Sequence, residues 1–161
     1  MAISPGDTVP DVKLTRIEDD GPDRISTADF FAGRKVVLFA VPGAFTPTCH
    51  NNHMPGFVEN ADAIREKGVD EIAVVAVNDP FVMGAWRKAS NATDKVTFLS
   101  DGNGDFASAI GMDMDMSVGG MGVRSRRFSM IVDDGRVVAV NVEDGPGEAT
   151  KSGAANLMSQ L

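Results

Sequence analysis

Val36-Val37-Leu38-Phe39-Ala40-Val41-Pro42-Gly43-Ala44-Phe45-Thr46-Pro47-Thr48-Cys49-His50 runs from a wholly apolar block, through a turn, to the only cysteine of the chain. The block Val36 to Val41 is continuous rather than alternating, which suits a central strand covered on both faces. Pro42 ends it, because proline cannot donate to a ladder. Thr46 is a candidate helix cap, and Pro47 carries the fixed φ favoured at a first helical position, so Cys49 is expected in the first turn of a helix. First-turn N–H groups and the helix dipole favour an anion at that place, hence thiolate over thiol. Ionisation alone is a small effect: an ordinary thiol is about 3% ionised at neutral pH, so complete ionisation gains roughly thirty-fold. Fast chemistry at Cys49 therefore needs further donors aimed at a transition state.

Working outward, Ile72 to Val77 is a second continuous β-branched run and so a second buried strand. Asn78-Asp79-Pro80 follows as a helix start, with Asp79 the cap and Pro80 at the first position. That helix should bury Val82, Met83 and Trp86 and finish near Ala89. Upstream, Val12 and Leu14 alternate with polar residues as a short edge strand. The polar turn Glu18 to Pro22 returns the chain through Arg24 to Ser26, which gives an N-terminal hairpin. Ser26 or Thr27 caps a helical turn holding Phe30 and Phe31, stopped at Gly33. A helix is expected from Asn51 to Lys67, kinked or broken at Pro55-Gly56. Val96 to Leu99 reads as a strand, and Phe106, Ala107 and Ile110 as a helix ending at Gly111. Phe128 to Val132 and Val137 to Val142 pair through the hairpin turn Asp133-Asp134-Gly135, and Ser152 to Leu161 forms a closing helix. The stretch Gly111 to Val123 is linker-like. The pattern is α/β, a mixed central sheet with helices on both faces.

With 161 residues, one domain over 1–161 is expected. The net charge of −8 argues against a nucleic-acid or anionic-membrane surface. A single cysteine makes no internal disulfide, which fits a reducing compartment. No apolar run reaches membrane-spanning length, and the start Met1-Ala2-Ile3-Ser4-Pro5-Gly6-Asp7 has no basic segment followed by an apolar one. The expected location is cytoplasmic, with a processed organellar form left open.

Each candidate side chain has a plain structural reading beside the functional one. Free cysteine is as readily an inert buried hydrophobe, and Thr46 can be a cap and nothing more. His50 and His53 beside Cys49 suggest zinc, but neighbouring Cys and His diverge on a helix and a fourth ligand is lacking, so no metal and no cofactor is expected. A cysteine–histidine protease dyad would need a third histidine from elsewhere, and there is none. His53 is better read as a packing or hydrogen-bonding residue. Met112, Met114, Met116 and Met121 read as adaptable packing rather than soft-metal ligands. Gly119-Gly120-Met121-Gly122 lacks the lysine and the setting of a phosphate loop. Of Arg124, Arg126 and Arg127, only Arg127 directly precedes an apolar strand; it can sit at the sheet end, while the other two are placed on the surface.

The spacing Pro42-x3-Thr46-x2-Cys49 resembles the active-site loop of peroxiredoxins, and the wider Val41 to Cys49 stretch resembles their type-5 branch. The likeness continues through His53 to Phe57, Asp70 to Asp79, Phe81 to Trp86 and Arg127 to Met130. It implies a thioredoxin-like fold and a thiol peroxidase in which Cys49 is the peroxidatic cysteine. Thr46, Arg127 and Pro42 would surround it, the arginine holding a peroxide oxygen as charge builds on the departing one. Hydrogen peroxide or an organic hydroperoxide would be the substrate, and a homodimer the assembly. Members that resolve internally carry a second cysteine in the stretch matching Thr150-Lys151-Ser152, and this chain has Lys151 there. A one-cysteine cycle is therefore expected, recycled by glutathione with glutaredoxin or by thioredoxin. The alternative class is a non-catalytic redox sensor or chaperone-like module switched by Cys49 oxidation. A thioredoxin-type reductase is weaker, for want of a second cysteine.

Overall fold

The computed structural model describes residues 2–92, 94–145 and 147–161. The N-terminal hairpin pairs β1 (Lys13–Glu18) with β2 (Gly21–Ser26), and Ser26 Oγ then accepts from the Asp29 N–H to cap α1 (Thr27–Phe31). β3 (Lys35–Val41) leads into the cysteine loop, a π-helical turn Cys49–His53, α2 (Met54–Glu59) and α3 (Ala61–Glu66). β4 (Glu71–Ala76), α4 (Pro80–Ala89), β5 (Thr97–Ser100) and α5 (Asp105–Ala109) follow. A two-stranded ribbon of β6 (Asp113–Asp115) and β7 (Val123–Ser125) comes next, then β8 (Phe128–Asp133), β9 (Arg136–Val142) and α6 (Ala154–Met158).

The main sheet has seven strands in the order β2-β1-β5-β4-β3-β8-β9. β3, β4 and β5 run parallel, and the flanking pairs β1·β5, β3·β8 and β8·β9 are antiparallel. Alternation along β3 divides the core in two. Val37, Phe39 and Val41 pack with Phe57, Ile64, Trp86 and Leu157 from α2, α3, α4 and α6. Val36, Leu38 and Ala40 pack on the other face with Phe30 and Phe31 of α1 and Phe106 of α5. Both faces of the strand are covered, the physical reason its sequence shows no polar alternation, and the whole is a thioredoxin-like fold.

Four expectations need correction. β1 is no edge strand, since it pairs with both β2 and β5, and β2 takes the edge. The helical run does not break at Pro55-Gly56: the π turn closes with the Met54 N–H on the Cys49 carbonyl, so Pro55 falls in the first turn of α2, where its missing N–H costs nothing. The break comes instead at Asn60, whose Nδ2 donates to the Gly56 carbonyl at 2.8 Å. The linker-like stretch holds β6 and a 3-10 turn, Ser117–Gly119, and the closing helix is only Ala154–Met158. Asp79 caps α4 as read, accepting from the Phe81 and Val82 N–H groups, although Val82 is half-buried.

One polar ring lies within the first core layer. Phe39 and Phe57 stack at 4.1 Å, and the His53 ring lies against both, at 5.1 and 5.5 Å between centroids. Burial, reinforced by the Arg127 charge and opposed by the Ser152 carbonyl and Glu143, lowers His53 from 6.5 to about 4. The folded value lies below the unfolded one, so the unfolded chain binds more protons between the two. The stability this imidazole contributes is therefore complete above about pH 6.5 and is lost as pH falls toward 4. The full loss is on the order of 3 kcal/mol. Urea unfolding of wild type and His53→Gln at stepped pH should show a steeper acid decline in wild type across that window; parallel curves would show that His53 carries no such linkage.

Candidate active site

The antiparallel register of β3 with β8 pairs Ala40 with Phe128, which brings Arg127 beside the end of β3 where the cysteine loop departs. That loop is fixed from two sides. The Ala44 N–H donates to Asn78 Oδ1 at 2.9 Å, and Ser100 Oγ holds the Asn78 carbonyl at 2.6 Å, so the ends of β4 and β5 anchor it. Phe45 takes φ 64°, a left-handed conformation that costs a bulky residue on the order of 1 kcal/mol. Gly43 sits close under its neighbours: a Cβ there would meet Arg124 Nη1 at 3.1 Å and Met121 Cε at 3.2 Å, so both side chains would have to give by a few tenths of an ångström.

Beyond the loop the His50 N–H bonds the Thr46 carbonyl at 2.9 Å, which places Cys49 in the first helical turn, as its sequence setting requires. The Cys49 side chain is fully buried beside the apolar core, yet two polar side chains meet its sulfur. Thr46 Oγ1 lies 2.7 Å and Arg127 Nη2 2.8 Å from Sγ. Thr46 Oγ1 is also 2.8 Å from the Gly43 carbonyl, and a hydroxyl has one proton to give. The proton can therefore stay on the carbonyl while oxygen lone pairs face a thiol S–H, or swing to an anionic sulfur. Among the described residues the Thr46 side chain caps no backbone N–H; it stands between the Gly43 carbonyl and the sulfur.

Arg127 is 2% exposed, and its Nη1 lies 2.9 Å from His53 Nδ1. On the far side of the ring, His53 Nε2 lies 3.0 Å from the Ser152 carbonyl. Ser152 is held in turn by Glu143 Oε2, which accepts from its N–H and its hydroxyl, each at 2.6 Å. His53 is thus the hydrogen-bonding residue the sequence suggested, with a partner its sequence position could not show.

A shallow cavity of about 210 Å³ reaches Thr46 and Arg127, the two residues whose side chains meet the sulfur. Pro42, Thr46, Pro47 and Thr48 line one side; Met116, Met121, Arg127 and Gly147 line the other. Cys49, Thr46, Arg127 and Pro42 are therefore brought together at one place. Arg124 is a correction: it is half-buried rather than on the surface, with Nε donating to the Met121 carbonyl at 2.8 Å and Nη1 reaching the Pro42 carbonyl at 3.4 Å. Arg126 is also half-buried. The sequence reading missed Met116 and Met121 as cavity walls, and the run of alternate methionines was the signal available. A larger cavity of about 440 Å³ between the hairpin and α4, bounded by Ile17, Phe81 and Arg87, is not lined by Cys49, Thr46 or Arg127.

His50 faces away from the sulfur, accepting at Nδ1 from Trp86 Nε1 at 3.1 Å. Among the described residues no group of three or more His, Cys, Asp or Glu is placed to hold a metal ion. No helix among them is long and apolar enough to cross a membrane.

The Redoxin family profile matches residues 4–158. Peroxiredoxin-2C of Oryza sativa subsp. japonica is 46% identical over 160 residues, covering 99% of this chain and 98% of that protein. Among solved structures, the reduced Prx3 of Vibrio vulnificus in complex with H2O2 superposes with a TM-score of 0.92 at 44% identity, covering 98% of each chain. The Plasmodium falciparum antioxidant protein, a 1-Cys peroxiredoxin, gives a TM-score of 0.88 at 31% identity over 96% of each. Other relatives include chloroplastic and mitochondrial peroxiredoxins of Arabidopsis thaliana. A thioredoxin-like sheet that aims an arginine and a threonine at one buried sulfur, and matches of this extent, place the chain in the Redoxin family as a peroxiredoxin, with features compatible with the type-5 branch.

Proposed function

We propose that this chain, acting as one domain over 1–161, is a one-cysteine thiol peroxidase whose nucleophile is Cys49. The observation that carries the reading is the pair of contacts at Sγ, 2.8 Å from Arg127 Nη2 and 2.7 Å from Thr46 Oγ1, both from residues that line an open cavity. The Cys49 thiolate attacks one oxygen of hydrogen peroxide or an organic hydroperoxide. An S–O bond forms, the O–O bond breaks, and the departing oxygen takes up a proton to leave as water or alcohol, with Cys49 left as the sulfenic acid.

Negative charge moves from sulfur onto oxygen during this step. Arg127 donates to both, so it can follow the charge without reorganising, which is the condition for stabilising a transition state more than the resting anion. Thr46, with its proton shared between the Gly43 carbonyl and the sulfur, orients the peroxide. Pro42 shields the cavity, and Met116 and Met121 give an organic hydroperoxide an apolar wall.

No second thiol exists in the chain, so the sulfenic acid is reduced from outside, by glutathione with glutaredoxin or by thioredoxin, through a mixed disulfide. A reducing compartment, here the cytoplasm, and a homodimer complete the proposal.

Cys49→Ser should reduce peroxide turnover to background, and turnover surviving in that variant would refute the assignment. Arg127→Ala should slow oxidation by peroxide roughly 10²–10³-fold. Its alkylation by iodoacetamide, limited to the loss of ionisation, should fall by no more than about thirty-fold. Equal slowing would reduce the arginine to a thiolate stabiliser. Mass spectrometry after one equivalent of peroxide plus glutathione should show a glutathione adduct on Cys49. The cycle is wrong if no adduct forms and neither thiol system sustains turnover, and oxidation that stops after one equivalent would mark a sensor.

A further inference from the structure

Arginine carries five donors and no acceptor, so the 2.9 Å contact between Arg127 Nη1 and His53 Nδ1 requires a bare lone pair on that imidazole nitrogen. The Ser152 carbonyl can only accept, so its 3.0 Å contact with Nε2 requires a proton on the other nitrogen. Two separate neighbours therefore demand the same neutral Nε2–H tautomer. Burial between the rings of Phe39 and Phe57, which leaves His53 2% exposed, also keeps the ring uncharged at neutral pH. The charged groups that act on it are Arg127 and Glu143, which flank the open end of the β8–β9 hairpin.

The chain of contacts is closed. Glu143 accepts from the Ser152 N–H and hydroxyl, Ser152 holds His53, His53 holds Arg127, and the Glu143 N–H returns to the Arg127 carbonyl at 3.0 Å. A guanidinium is a rigid fork, so fixing Nη1 fixes the direction in which Nη2 points. Nη2 is the nitrogen on the sulfur.

We propose that His53 is a positioning residue for the peroxide reaction: its neutral imidazole, fastened through Nε2–H to Ser152, turns the Arg127 fork so that Nη2 faces the Cys49 sulfur and the oxygen it attacks. The inference rests on the peroxidase reading for its rate effects and on geometry alone for the tautomer. His53 touches no reacting atom and takes no proton in the step.

The test uses two polar variants and one measurement on the unaltered protein. Asparagine places its oxygen near the Nδ1 position, so His53→Asn keeps an acceptor for Arg127. Glutamine reaches the Nε2 position, so His53→Gln keeps the Ser152 contact and removes the acceptor that His53 gives Nη1. Peroxide oxidation of Cys49, followed by stopped flow, should fall roughly tenfold or more in His53→Gln and recover in His53→Asn. Iodoacetamide alkylation, which builds no charge on oxygen, should separate the two variants much less. Equal losses in both variants, or equal effects on both reagents, would overturn the proposal. Nitrogen-15 NMR of wild type at neutral pH supplies the arm that needs no variant to fold: the Nε2–H tautomer is expected, and a charged ring or the Nδ1–H tautomer would overturn the proposal. If wild type failed to reduce peroxide at all, the peroxidase reading would fall while the tautomer result still tested the geometry.

Discussion

A guanidinium that is 2% exposed is the constraint around which this site is built. Removing a cation from water costs several kcal/mol unless its donors are met and its charge is balanced. The Cys49 sulfur and the His53 ring nitrogen each take one donor, at 2.8 and 2.9 Å. One of its donors thus meets the same sulfur that the proposed reaction uses. A neutral histidine suits the second place better than a carboxylate: it satisfies a donor without drawing positive charge away from the sulfur. The buried Glu143 acts at one remove, through Ser152.

The sheet serves this constraint by register. Cys49 and Arg127 are 78 residues apart, and what joins them is the antiparallel pairing of β3 with β8. A shift of one residue would turn every β8 side chain to the opposite face and carry Arg127 with them. The buried alternation of Phe128, Met130 and Val132 against Ile131 opposes that shift, since the first three pack into one core layer and Ile131 into the other. Packing energy in the body of the sheet is what makes the arginine's aim precise at its end. Asn78 does the same for the cysteine loop, bringing the end of β4 to bear on Ala44.

What the sequence discloses follows from the range of the interaction concerned. The unbroken apolar runs at β3 and β4, the Asp79–Pro80 helix start and the Asp134–Gly135 turn, with φ 49° and 78°, are local and were legible. Cys49, Thr46, Pro42 and Arg127 were legible because a spaced motif resembles a known loop. The position of β1 inside the sheet was not, because edge and interior strands differ in partners and not in composition. The π turn was hidden because the spacing of side chains over Cys49–His53 does not distinguish its wider ring from an α turn. Met116, Met121 and Arg124 were misjudged for a related reason: the 111–123 stretch is rich in methionine and glycine and reads as a loop, and only its folding over Pro42 and Gly43 gives it a place at the cavity.

The same burial sets two steps of the proposed one-cysteine cycle against each other. A peroxide is small enough to enter a cavity of about 210 Å³, and a water-poor setting strengthens every hydrogen bond it meets there. A reducing thiol must bring its own sulfur to about 2.05 Å, on a line with the bond being broken, and the fully buried Cys49 side chain leaves no such approach in this arrangement. Reduction therefore requires the segment around Cys49 to move. Its ties to the rest of the chain include the Thr48 hydroxyl on the Gly147 carbonyl at 3.2 Å, the His50 ring on Trp86, the His53 ring on Ser152, and Arg127 on the sulfur itself. Oxidation alters the last of these, because a sulfenic acid carries neither the charge nor the shape of the thiolate it replaces. The chemistry of the first step thus weakens one of the contacts that closes the site to the second.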